Sequence, residues 1–568
     1  MIEDKLRHQK ALALIVCLFL GYLYIETIWK PYFYGQPVIV QTVAATNTQT
    51  NQTLSNPTAI SSIAPVSNNQ AEVKGAAPLD LQIKNVGIVR VVTKDLKVEL
   101  SLLGGRITKA ELLKYKRDLK KKAPLDLIQH TEGAPYPLGV LANVVDDAWV
   151  QYQVLSPTSL RQDEPGITVL DLKGEERSTV FLKGALPDGT VLKKKITFSP
   201  EGFALDVSIE AEGNLLLSSY WSRFVPESET ANLDPYKTEG FVWFDGQKAL
   251  RKTFKDLQGS EKVGKVNWAS LGDKYFTTAL ISNAEAMITK SDRNFSVAIS
   301  NSSNILSYQV FLGPKSYELL KNFGHELQRE IDFGKFGVVS APLLSLLHFL
   351  FLIFSNYGLA IVALTILVRM ALYPLNSASF KQMKAMQDLK PELDRLKENI
   401  KDKQQQQVAL MELYKKKGVN PLGGCLPVLL QMPIFIGLYA ALSLAVELRH
   451  AHFAGWINDL SAPEKLMVGE HGIPVMVILF VLSMMVQQWT TPTTMDPAQK
   501  KIMMVMPLFM GFMFAKFPAG LTLYWLTSNL ISIGQQKAMH SNNVKSPLVI
   551  TLSVCAAVFA VAFIATLF

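Results

Sequence analysis

One arginine stands alone in an apolar run. Gly358–Leu375 reads GLAIVALTILVRMALYPL and is apolar apart from Thr365 and Arg369. As a helix the run is roughly 27 Å long, about the thickness of a bilayer core. A charge at that depth costs on the order of 3 kcal/mol, so it must face water, a partner or a substrate. Arginine does not discharge at accessible pH. The run therefore argues for a polar cavity opened inside a membrane protein. The alternative is snorkelling: Arg369 lies six residues before Leu375, roughly 9 Å along a helix, and a long side chain can reach headgroups from there.

The rest of the chain fits a membrane setting. Of its 568 residues 49% are hydrophobic, too many for an ordinary soluble enzyme, and they cluster at the start and after Ser340. The net charge of +9 sits beside the apolar runs, which is a topology signal before it is a nucleic-acid signal. Lys5, Arg7 and Lys10 precede the run Ala11–Trp29 and hold the N-terminus in the cytoplasm. No Ala-x-Ala site follows that run directly, so an uncleaved anchor is expected over residues 1–30. Residues 31–79 then read as a flexible linker rich in Thr, Asn, Gln, Ser, Ala and Pro.

Five further spans are expected at about 355–375, 422–445, 472–489, 499–515 and 518–536. The loop 376–421 carries ten Lys or Arg and is placed inside. Loop 446–471 has only Arg449 and Lys465 and is placed outside. Pro547–Phe568 has no charge and is long enough to span. The three cysteines, Cys17, Cys425 and Cys555, all lie in apolar segments and make no CxxC pair.

Residues 80–316 read as an exported all-β domain. Ile88–Val92, Val98–Leu102 and Ala204–Ile209 are β-branched or alternating. Pro187-Asp188-Gly189-Thr190 is a hairpin turn between Thr179–Leu182 and Val191–Phe198. Tyr220, Trp221, Trp243, Phe244 and Trp268 make either sandwich core or a sugar-binding surface. In 317–345, Leu319, Leu320, Phe323, Leu327 and Ile331 recur at helical spacing among charges. They predict either an amphipathic interfacial helix or the last helix of the soluble domain.

In the inside loop, Met383, Met386, Leu389, Leu393, Leu396 and Ile400 form one apolar stripe, interrupted at Pro391. Asp402–Gln407 reads as a polar turn, and Val408, Met411 and Tyr414 form a second stripe. The expectation is a helical hairpin over 376–417. Its lysines, among them Lys381, Lys384, Lys415, Lys416 and Lys417, either meet an acidic partner, RNA or anionic lipid, or are a solvated face.

Polar residues recur in the spans: Thr365, Gln431, Ser443, Gln487, Gln488, Ser528 and Asn529. Singly each is helix–helix glue; beside an intramembrane arginine they suggest a wet, positively charged groove. There is no HExxH, GxSxG or Walker A sequence. No metal or cofactor site and no catalytic residue is expected. Besides a substrate-handling groove, two readings stay open: a solute transporter or channel using the same cavity, and a glycan-binding envelope protein on passive anchors.

TILVRMALYPL (365–375), VNPLGGCLPVLLQMPIFIGLY (419–439), ELRHAHFAGWINDLS (447–461) and FPAGLTLYWLTSNLISIGQQ (517–536) resemble the YidC membrane protein insertases, in the Gram-negative form with a large periplasmic domain. The resemblance implies a multi-domain, multi-pass protein of the bacterial inner membrane. Its α-helical transmembrane core, 346–540, would have five helices and a cytoplasmic helical hairpin, beside an all-β periplasmic domain, a β-supersandwich. It implies no enzyme and no cofactor. Arg369 matches the groove arginine that attracts the acidic segment of a nascent membrane protein. Thr365 and Gln431 would line the groove, and Tyr524 and Trp525 match an aromatic pair where the substrate slides toward lipid. Implied partners are nascent membrane proteins, the Sec translocon, the ribosome, the signal recognition particle receptor and the lipid bilayer, with no DNA. Members usually end in a short basic tail that helps ribosome binding. Here the apolar segment 541–568 stands in its place, so the resemblance does not imply docking through a tail.

Overall fold

The structure, a computed structural model, describes residues 86–567 except 120–122, 129–134, 144, 157–160, 173–175, 214–215, 225–239, 292–293, 401, 420–425, 470, 491–496 and 541–546. The expected anchor and linker therefore lie outside the described residues. Residues 86–372 and 379–567 belong to one compact unit, and Tyr373–Ala378 falls outside it.

The first half of that unit is β-sheet. Two sheets of 6 and 13 strands carry it. In the smaller, Ile88–Val92 pairs antiparallel with Leu96–Ser101 and parallel with Ile167–Asp171. In the larger, Ser178–Ala185, Val191–Phe198, Ala204–Ala211 and Ile305–Pro314 follow one another antiparallel. The predicted hairpin is present: Leu186 N–H bonds the Thr190 carbonyl at 2.8 Å, and Gly189 takes φ 88°, a conformation glycine adopts at no steric cost. Tyr220, Trp221, Trp243, Phe244 and Trp268 are all buried. They belong to the core of the β-sheet half, so the sugar-binding surface expected as an alternative is not formed by these rings.

Strand alternation also buries a charge. In Val191–Phe198 the two-residue period puts Leu192, Lys194, Ile196 and Phe198 on the inner face. Lys194 is 0% exposed. Its Nζ lies 2.6 Å from the Asp147 carboxylate and donates to the carbonyls of Gly104 at 2.7 Å and Leu138 at 2.9 Å. Asp147 also takes a bond from Arg106 at 3.1 Å. Arg106 opens a strand of the small sheet, so the cluster ties the two sheets together. Burial pushes the Lys194 ammonium below its usual range, and Asp147 offsets part of that.

The segment expected as one helix over 317–345 is broken. A short helix, α1 (Tyr317–Phe323), stops at Gly324. Short 3-10 turns follow at Leu327–Glu330 and Gly334–Phe336. The stretch is bolted to the β domain: Trp268 Nε1 donates to the His325 carbonyl at 3.1 Å, Phe323 meets Phe311 edge-on, and Lys315 pairs with buried Glu330 at 3.2 Å. Of the apolar residues at helical spacing, Leu320, Leu327 and Ile331 are buried.

The second half is helical: α2 (Gly337–Phe354), α3 (Tyr357–Ala371), α4 (Tyr373–Asp388), α5 (Lys390–Asn399), α6 (Lys403–Lys417), α7 (Leu426–Leu444), α8 (Val475–Thr490), α9 (Pro497–Phe514), α10 (Ala519–His540) and α11 (Pro547–Ala565). Helix α2 is missing from the five expected spans, yet 334–354 is one of two described helices long and apolar enough to cross a bilayer alone. The other is α11, and α3 with α4 qualifies only as a bent pair. The apolar parts of α7, α8 and α9 are shorter. Helix α11 packs on α10 and α3. A side chain at Gly534 would come 2.7 Å from Val554, and Phe559 meets the Phe354 ring at 5.2 Å.

In the loop between α3 and α7, a helix break falls just before Pro391, as expected. The polar turn is shorter than expected. Asp402 caps α6 by accepting from Gln404 N–H at 2.9 Å, which draws Lys403–Gln407 into the helix. Lys417 meets Glu392 at 2.6 Å, so α5 and α6 fold back on each other.

The Lys194 cluster generates a stability prediction. Lys194→Met leaves Asp147 buried with Arg106 as its remaining ion-pair partner, and breaking a buried pair costs about 3–5 kcal/mol. Denaturant unfolding of the full-length protein, followed by tryptophan fluorescence, should show that loss. A change below about 1 kcal/mol would contradict the cluster's structural role.

Candidate functional site

The burial of α3 changes along its length. Tyr357–Thr365 are all buried, whereas Ile366–Ala371 are half-buried or exposed. Arg369 lies in the opening half. The closed half is fixed by its first turn. Asn356 caps α3, accepting from Leu359 N–H at 3.1 Å and donating to the Phe453 carbonyl at 3.0 Å. A Cβ at Gly358 would come 2.0 Å from the Phe453 ring, so only glycine allows that approach. The loop carrying Phe453 is held in turn to the start of α10. Ala519 N–H bonds the Ala462 carbonyl at 2.8 Å, and Gly520 N–H bonds Leu460 at 2.9 Å. One end of the bundle is thus capped by loop 445–462, and the other leads toward α4.

At the opening, side chains from three helices converge. Arg369 Nε donates to Ser528 Oγ at 2.8 Å, and Nη2 donates to the same oxygen. Gln431 Nε2 donates to the Tyr524 hydroxyl at 2.7 Å. Tyr524 and Ser528 stand one helical turn apart on α10, so both hydroxyls lie on one face of that helix. No carboxylate among the described residues pairs with Arg369. The guanidinium is held by the neutral Ser528 hydroxyl, and arginine stays charged at accessible pH.

Two other expected groove residues are placed differently. Thr365 is fully buried one turn before Arg369, and its hydroxyl donates to the Ile361 carbonyl at 2.7 Å. Trp525 packs against Phe435, Phe480 and Phe514 at 5.0, 5.7 and 5.3 Å. That cluster joins α7, α8, α9 and α10. So the structure brings together Arg369, Gln431 and Tyr524, adds Ser528, and turns Thr365 and Trp525 into the supporting core. Ser528 was visible as one of several polar residues in the spans. Its i,i+4 spacing from Tyr524 was the signal that could have singled it out. Of the others, Asn529 bonds Ser483 at 3.1 Å and Gln488 bonds the Met503 carbonyl at 2.9 Å; both act as glue between helices.

Among the lysines, Lys381 and Lys415–Lys417 are exposed and Lys384 is half-buried. Lys415, Lys416 and Lys417 form the last turn of α6, where basic side chains complement the helix dipole. Lys381 and Lys384 stand on α4, outside the pair α5–α6. On α9, Met504, Met506, Leu508, Phe509 and Phe512 are exposed, an apolar face suited to lipid or a hydrophobic partner.

Fold and site together define a class: a helical membrane protein with an arginine in its bundle that no described carboxylate pairs with, and a large β-sheet domain attached. Comparison with known proteins is specific. Residues 349–546 match the family described as the 60Kd inner membrane protein, and 88–346 match the YidC periplasmic domain. The membrane protein insertase YidC of Syntrophus aciditrophicus (strain SB) is 34% identical over 526 residues, which cover 86% of this chain and 93% of that one. The protein of the same name from Geotalea daltonii is 38% identical over 389 residues, covering 64% and 71%. An active YidC insertase crystal structure with the first transmembrane domain resolved aligns over 78% of this chain and 90% of that one, at 20% identity and a TM-score of 0.35. The chain belongs to the YidC membrane protein insertase family, whose members are inner-membrane proteins; its β-sheet half is the periplasmic domain.

The Gln431–Tyr524 bond is testable by a double-mutant cycle. Tyr524→Phe leaves a half-buried amide without its acceptor and costs about 1–3 kcal/mol. Combined with Gln431→Met it should show a coupling of about 1 kcal/mol in thermal unfolding in detergent. Strictly additive losses would mean that the bond is not formed.

Proposed function

We propose that this chain inserts nascent proteins into the inner membrane and helps them fold. In this reading Arg369 sits in a groove open toward the cytoplasm and to lipid. It attracts the acidic, hydrophilic segment of a substrate and so lowers the barrier to moving that segment across the bilayer. The observation that carries the reading is the arginine held by Ser528 with no described carboxylate beside it. An uncompensated charge inside a bundle is expensive and marks a site of function. Transfer of the substrate helix into lipid supplies the driving force, with the membrane potential acting on its acidic segment. No covalent bond is made or broken in this account.

The proposed division follows the same logic. Residues 1–30 anchor the chain with the N-terminus in the cytoplasm, 31–79 link it to a periplasmic supersandwich over 80–316, and 346–540 form the insertase core. The pair α5–α6 projects into the cytoplasm. Its exposed Lys415–Lys417 suit an acidic or RNA-bearing partner, such as a ribosome, a signal recognition particle receptor or the Sec translocon. The core would work alone or beside that translocon. The exposed methionine and phenylalanine face of α9 supports a lateral surface on which varied apolar helices slide. Tyr524 stands at the Arg369 site, and Trp525 holds the helices around it.

Arginine as a point charge makes a graded prediction. Arg369→Ala should lower insertion of a substrate with an acidic translocated segment about tenfold or more, and Arg369→Lys should keep most of the activity. Lys failing as badly as Ala would assign the work to the forked hydrogen bonds. Full activity of the Ala variant would overturn electrostatic capture for that substrate.

A further inference from the structure

We propose that Ser528 is the positioning residue of the groove arginine, aiming Arg369 while leaving its charge unspent; this rests on the insertase reading above. Arginine has five N–H donors and no acceptor. Two of those donors, on Nε and Nη2, converge on the one hydroxyl oxygen of Ser528. One turn before Ser528 on the same helix, the Tyr524 hydroxyl accepts from Gln431 at 2.7 Å. Helix α10 thus holds Arg369 through Ser528 and Gln431 through Tyr524. Both acceptors are neutral oxygens, and no carboxylate among the described residues pairs with the guanidinium.

The choice of a hydroxyl matters. A carboxylate at this position would hold the guanidinium more tightly but neutralise it. An apolar side chain would leave it charged but free to swing toward headgroups, as long basic side chains do. Serine does neither. Helix α10 keeps the hydroxyl in place: the Ser528 backbone carbonyl accepts from Ser532 Oγ at 2.9 Å, and Asn529 ties the same turn to Ser483 on α8. Ser528 itself is buried. The consequence is selectivity for charge: Ser528 should matter for substrates that carry carboxylates across and not for neutral ones.

The test compares Ser528→Thr with Ser528→Val, which share a shape and differ by the hydroxyl. Each full-length variant is reconstituted into phosphatidylethanolamine and phosphatidylglycerol vesicles. It is assayed by protease protection with a single-span substrate bearing two translocated acidic residues, and with that substrate's Asn/Gln twin. Ser528→Val should lower insertion of the acidic substrate about tenfold, the weight of a hydrogen bond to a charged group, and leave the twin within about twofold. Ser528→Thr should stay within about twofold for both. Ser528→Asp, which neutralises Arg369, should behave like Arg369→Ala. Equal behaviour of Thr and Val, or equal loss of both substrates in Val, would overturn the positioning role. Arg369→Ala in the same assay separates the two proposals. If it does not distinguish the substrates, the capture reading itself fails. If it does and Ser528→Val does not, only the role of Ser528 fails.

Discussion

Keeping a guanidinium inside a helical bundle with no described carboxylate beside it is the constraint on which this structure turns. The charge cannot be discharged, so the protein must surround it with groups that accept its hydrogens and leave its field intact. Ser528 does this directly, and the Gln431–Tyr524 bond ties α7 to the same helix. Such a network needs three helices at fixed distances. The aromatic cluster around Trp525 sets α7, α8, α9 and α10. The cap at loop 445–462 fixes α3 through Asn356 and Gly358, and α10 through Ala519 and Gly520. Much of the helical packing thus serves to hold one charge.

The periplasmic domain is joined to this bundle by specific contacts. Arg449, on the capping loop, donates to the carbonyls of Lys116 at 2.7 Å and Arg117 at 2.9 Å and lies over the Phe276 ring at 5.5 Å. The stretch 317–336, bonded to the β core by Trp268 and Glu330, runs straight into α2. The cap that closes one end of the bundle is therefore also a seat for the exported domain.

Much of this was legible in the sequence, and the exceptions have physical causes. Arg369 announced itself because a charge in an apolar run violates a strong rule. The Pro187–Thr190 hairpin and the break before Pro391 were readable because proline and glycine fix backbone angles locally. Lys194 was not readable. Lys193-Lys194-Lys195 looks like a solvated run, and only the register with Asp147 and the Gly104 carbonyl decides which lysine turns inward. Helix α2 (Gly337–Phe354) crosses the boundary expected between 345 and 346, and Pro342 inside it blurs the apolar run that would mark a span. In the site, type and rough position were visible but orientation was not. Thr365 and Arg369 share a face by spacing, yet Thr365 bonds its own helix and is closed off. Ser528 looked no different from Ser443 or Asn529 until the fold brought it to the arginine.

The central claim is that a nascent membrane segment occupies the space beside Arg369. Site-specific photo-crosslinking in native membranes tests it most directly. Probes at Gln431 and Tyr524, with a control at Leu552 on the exposed face of α11, would be presented with a ribosome-stalled single-span protein. The account predicts crosslinks from Gln431 and Tyr524 and none from Leu552. No crosslink from either groove position with several stalled substrates, or equal crosslinking from Leu552, would contradict it and leave Arg369 as a snorkelling residue.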